Sequence, residues 1–166
     1  MDAVVTQELL TEIFDKTARE VTEQESGIRL RMGSTPPDGE LCTVSIPFTR
    51  GFHSILSLCA ETGLFARLTQ GMMRGGTVTP QDIEDFSKEY FNVLCGRIVS
   101  RLYQETKVPY RFGIPTFYRG KALPDGYREH FALIYESDEN RSAQLIYHIP
   151  FGDSAGSCVS TEGKET

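Results

Sequence analysis

Apolar residues recur every three or four positions at Leu9, Leu10, Ile13, Phe14, Ala18 and Val21, which predicts an amphipathic helix over residues 5–21. After Gly27 the period shortens. Runs at 28–32, 41–46 and 53–59 are separated by Pro36-Pro37-Asp38-Gly39 and Thr49-Arg50-Gly51, so turn-forming joints divide strand-forming segments. This predicts a meander of about three strands. Helical spacing returns over 61–73 through Leu64, Phe65, Leu68 and Met72, and Gly71 to Gly76 read as its stop and turn. A longer helix is predicted from Thr79-Pro80-Gln81-Asp82 to about Glu105. There Thr79 suits the cap, Pro80 the first turn, and Asp82 the positive end of the helix dipole. Pro109 and Pro115 follow, then strands at 131–135 and 144–149 with a polar turn at 136–142. Together these predict an α/β (α+β) domain in which long helices cover a largely antiparallel sheet. It occupies residues 1–151, and residues 152–166 form a polar tail expected to be mobile.

Composition narrows the function classes. The 166 residues carry 17 basic and 23 acidic side chains, a net charge of -6, so a partner bound through its phosphate backbone is disfavoured and no nucleic acid is expected. No run approaches the ~18 apolar residues of a membrane span, and the start of the chain lacks a signal-peptide pattern. A cytoplasmic protein with no membrane partner is expected. Cys42, Cys59, Cys95 and Cys158 lie 17, 36 and 63 residues apart, without the close thiol pairs of zinc or redox sites. They read as reduced structural thiols, and no metal site is expected. His53, His130 and His148 read as hydrogen-bonded structural histidines, and no nucleophile-elbow, zinc-protease or phosphate-loop motif is present.

The long helix carries the informative pattern. On a wheel at about 100° per residue, Ile83, Tyr90, Leu94 and Ile98, flanked by Phe91, Cys95 and Leu102, form an apolar arc that should face the sheet. Asp85, Glu89, Asn92 and Gly96, spaced four, three and four apart, line up on the other side. A row of polar residues on a surface helix usually means only a solvated face. Adding the downstream proline changes that, because Asp85, Glu89, Asn92 and Pro115 fit the pattern D/S-x3-E-x2-N-x22-P.

The pattern resembles the signature of the CheC/CheX family of chemotaxis phosphatases, and a single copy resembles CheX more than CheC. The likeness extends to layout over residues 5–151, including Met72-Met73-Arg74-Gly75-Gly76 before the signature helix. The resemblance implies a CheX-like fold and hydrolysis of the phosphoaspartate of a response-regulator receiver domain (CheY-like). It also implies a homodimer built by sheet pairing. Asn92 would orient the attacking water, and Glu89 would pair with the receiver's active-site lysine. Asp85 would trim the helix surface or contact the partner, Gly96 would leave space for a partner backbone or equally serve close helix packing, and Pro115 would shape the chain beside the helix. No cofactor is expected on this chain; Mg2+ belongs to the receiver.

One departure is Phe91, where related phosphatases often have glycine before the signature asparagine. Its ring either turns into the core or crowds the docking partner. The alternative function is a non-catalytic adaptor of the same fold that docks on a receiver or a flagellar-switch-type partner; a third is a structural dimer whose polar line is merely solvated.

Overall fold

A computed structural model describes residues 5–50 and 53–152. The helices are α1 (Gln7–Ser26), α2 (Thr62–Met73) and α3 (Pro80–Thr106). The strands are β1 (Leu30–Met32), β2 (Leu41–Arg50), β3 (Ser54–Glu61), β4 (Arg111–Phe112), β5 (Thr116–Arg119), β6 (Tyr127–Ser137) and β7 (Ser142–Pro150). All pairings are antiparallel, in the order β1-β6-β7-β3-β2, with β4 and β5 both alongside β2 at the far edge. The α+β reading holds. The polar tail expected over residues 152–166 lies, from residue 153 on, outside the described residues, as does Cys158.

Alternation along the strands builds the core. Val44, Ile46 and Phe48 of β2, Leu56 and Ala60 of β3, and Leu145 and Tyr147 of β7 are buried on the face that the three helices cover. Helix α1 turns Leu10, Phe14, Ala18 and Val21 inward, and α2 turns Leu64, Phe65 and Leu68. The helices also pack on one another. At the crossing of α1 and α2 a Cβ on Gly71 would sit 2.4 Å from the Ser26 carbonyl oxygen. Gly71 therefore lies inside α2 because the neighbouring backbone leaves no room for a side chain; the helix stop is carried by Arg74, Gly75 and Gly76, all at positive φ.

The predicted three-strand meander is corrected. Strands β2 and β3 form a hairpin, but β1 pairs with β6 (Leu30↔Ser137, Met32↔Tyr135) at the opposite edge. Strand β2 already has β3 on one side and β4 and β5 on the other, so it offers β1 no vacant edge. The proline-rich segment after Met32 is a crossing rather than a hairpin turn.

The second face of the sheet is also closed. Thr43, Ser57, Cys59, Ile146 and His148 are buried there although no helix lies over them. The connection from β5 to β6 starts at one edge and ends four strands away, beyond β2, β3 and β7, so it must pass across this face. Thr43 Oγ1 holds it, donating to the Gly120 carbonyl (2.7 Å) and accepting from the Ala122 amide (3.1 Å). Small side chains make space for the strap, and Ser45 and Ser57 join their hydroxyls beneath it (2.8 Å). The described cysteines are free and buried, as the wide spacing predicted.

His148 departs from the expectation of a fully hydrogen-bonded histidine, because its Nε2 is buried without a partner. Burial, reinforced by the Lys121 charge on the strap, lowers its pKa to about 4. The unfolded imidazole titrates near 6.5, so between these values the unfolded chain binds a proton that the folded chain refuses. The stabilisation is complete above about pH 6.5 and is lost as pH falls toward 4, by roughly 3 kcal/mol in all. Urea titrations at pH 7 and pH 4.5 should show this loss, and His148→Leu should shrink it.

Candidate functional site

The site is built on α3, whose rotation is fixed from the buried side. Its start is a reciprocal cap: the Asp82 amide donates to Thr79 Oγ1 (3.0 Å), and the Thr79 amide donates to the Asp82 carboxylate (3.0 Å). The helix then runs 27 residues, about 40 Å at 1.5 Å per residue. Tyr90, Phe91, Leu94, Cys95, Ile98 and Leu102 are all buried, as the wheel predicted. Tyr90 adds a directional restraint, its hydroxyl 2.6 Å from Thr22 Oγ1 of α1, and burial pushes the phenol up to about 12, so it stays neutral. Thr22 was not singled out from the sequence, since a single threonine on a helix gives no signal of a buried partner.

With that side seated, Asp85, Glu89 and Asn92 are exposed along the opposite side. Asp85 accepts from Gln81 Nε2 (3.0 Å). Glu89 and Asn92 have no side-chain hydrogen bond or ion pair among the described residues, so both are available to a partner. Cations on the same helix are engaged elsewhere: Lys88 with Glu84 (3.3 Å), Arg97 with Gln24 (3.3 Å), and Arg101 with Glu20. The line therefore keeps its negative charge. The thiol on this helix, Cys95, is buried and its pKa is raised by desolvation, which removes it as a nucleophile.

Gly96 is half buried rather than open, with the Phe112 ring 3.8 Å from where a Cβ would stand. That is ordinary contact distance, so close packing does not demand glycine here. Strands β4 and β5 were missed in the sequence because pieces of two and four residues carry too little alternation to register. They nonetheless bind the helix to the sheet edge. Phe112 leans on Gly96, while Arg119 stacks over Phe117 (5.3 Å) and donates to the Pro80 carbonyl (3.0 Å) at the start of α3. Pro115 is half buried in the connection between the two strands.

A family model, chemotaxis phosphatase CheX, matches residues 42–134. The chain belongs to the CheX family. The match spans the signature helix and Pro115. Among solved structures, this CheX-family chain is similar to a chemotaxis protein CheX from Desulfovibrio desulfuricans (12% identity, TM-score 0.68), covering 83% of this chain and 97% of that one. It is also similar to the CheX–CheY–BeF3–Mg complex from Borrelia burgdorferi (12%, 0.66; 84% and 96%). Thermotoga maritima FliY shares the fold as well (15%, 0.63; 87% and 89%). No curated protein matches the sequence.

The open question about Phe91 is answered by burial: its ring is 0% exposed and packs beside Tyr90 (6.5 Å between ring centres). It does not stand on the face of Asn92. In this CheX-family member, Phe91→Ala should cost about 3–5 kcal/mol, and Phe91→Gly about 1 kcal/mol more, as read by urea unfolding.

Proposed function

We propose that this chain hydrolyses the phosphoaspartate of a CheY-like receiver domain, with Asn92 and Glu89 as the working pair. The observation that carries this reading is that both side chains are exposed and unengaged, one turn apart, on a helix whose other side is locked into the core. The CheX family supports it, as does the likeness to a CheX found in complex with CheY.

A receiver domain already assembles its electrophile, with Mg2+ and a lysine beside the phosphorylated aspartate. It lacks an oriented water. The Asn92 carboxamide donates through its NH2 and accepts through its C=O without titrating, so it holds water in line with the phosphorus. The water oxygen bonds to phosphorus, the aspartate carboxylate leaves, and the water's proton passes to phosphate. Glu89 pairs with the receiver lysine and so sets where Asn92 lies, since positioning is what the helix contributes. Asp85 and Gly96 border the docking face. This chain needs no metal of its own for that role, and the reaction would take place in the cytoplasm.

Asn92→Ala should reduce accelerated phosphate release about 100-fold while leaving affinity for the receiver within about threefold, because its contribution is made in the transition state. Glu89→Ala should weaken affinity by about 2 kcal/mol or more and lower turnover with it. Phosphate release and binding are to be followed with a panel of phosphorylated receivers. Full activity in Asn92→Ala would refute the mechanism. Binding without any shortening of the phosphoreceiver's lifetime would instead establish the adaptor role, which the likeness to FliY accommodates.

A homodimer is part of the same reading. Strand β1 covers only 135–137 of β6 and the Gly33 amide donates to the Ile134 carbonyl (2.9 Å), so residues 127–133 present an edge without a partner strand among the described residues. Pairing two copies along that edge would fill it. Equilibrium sedimentation at micromolar concentration should show a dimer, and a monomer alone would exclude this assembly.

A further inference from the structure

We infer that Ile114 is an apolar docking anchor for the receiver domain that presents its phosphoaspartate to Asn92; this rests on the function proposed above and adds to it the side chain that grips the partner. Ile114 is 82% exposed, the most exposed large apolar side chain among the described residues. Its position is imposed by the backbone. From Phe48↔Phe112 to Ser45↔Thr116 there are three steps along β2 and four along the outer strands, so one extra residue is inserted between β4 and β5. Gly113 is pinned, its amide donating to the Pro47 carbonyl (2.8 Å), so the extra residue falls at Ile114 or Pro115. Pro115 is half buried, and Ile114 is the one pushed into solvent. A bulge of this kind re-aims a side chain. Pro47 opposite has no amide to donate, and a Cβ on Gly113 would sit 3.1 Å from its Cγ, which leaves the bulge little freedom.

The outer strands run alongside α3 in the opposite direction, touching it at Phe112–Gly96 and Arg119–Pro80. The two spans match: about 24 Å along the helix from Pro80 to Gly96, and about 23 Å along the strands from Phe112 to Arg119. Interpolating between the two contacts puts Ile114 level with Asn92. Between Asp85 and Gly96 the exposed line of α3 is acidic and polar, and the exposed aromatic further along the helix, Tyr103, stands about 16 Å beyond Asn92 along the axis. Stable docking concentrates its energy in a few desolvated side chains ringed by polar ones. Ile114 supplies that element beside the reacting position, so the receiver occupies both.

The test uses the full chain and a receiver activated with beryllofluoride and Mg2+ for binding, or phosphorylated for turnover. Ile114→Ala should raise Kd and KM about tenfold, keep kcat within twofold, and leave the melting temperature unchanged; Ile114→Asp should raise Kd further. Leu123→Ala serves as the control, because Leu123 is 71% exposed but lies on the strap across the other sheet face. Unchanged Kd in Ile114→Ala, with a wild type that binds, overturns the anchor and leaves the proposed function standing. Equal losses in Leu123→Ala also overturn it. A wild type that binds no activated receiver overturns both.

Discussion

The orientation of α3 is the constraint on which the rest depends. A 27-residue helix laid on a sheet presents every side chain to one environment or another, and a rotation of about half a turn would exchange its buried and exposed rows. The apolar arc from Ile83 to Leu102 sets that rotation through burial. The Tyr90–Thr22 hydrogen bond adds a penalty for any other setting, since both hydroxyls would be left buried and unpaired. The signature row is exposed because the opposite row cannot be.

This separation also explains why Phe91 and Asn92 coexist. Adjacent residues on a helix point about 100° apart, so a bulky ring next to the reacting carboxamide need not share its surface. In this chain the ring is used as core. The place where a glycine would give a partner access is filled toward the sheet, not toward solvent.

Elements with strong local patterns were legible in the sequence. The α3 cap at Thr79 and Asp82, the arc, the α1 stripe and the two long hairpins could all be read from spacing. The polar line was legible for the same reason, because Asp85, Glu89 and Asn92 lie within two turns of one helix. What could not be read was set by distant partners. Residues 30–32 look like the first strand of a meander, and only the full occupancy of β2 sends them to β6. The strap over the second face was hidden for the opposite reason: its polar residues look like loop, and its effect shows only in the burial of Thr43, Ser57 and His148. Phe112 and Arg119 belong to strands too short to announce themselves.

The two clamps that hold β4 and β5 against α3 turn the spacing between asparagine and proline into a matter of mechanics. From Asn92 the chain completes the helix, reverses after Lys107, and returns along the sheet edge to reach Pro115. One residue added within the helical part would swing everything beyond it by 100° and displace Phe112 from Gly96. Length variation in descendants of this sequence should consequently be confined to segments such as 34–39, which cross between the sheet edges without a hydrogen bond to the rest of the fold among the described residues, while the 22 intervening residues keep their number even where their identities drift.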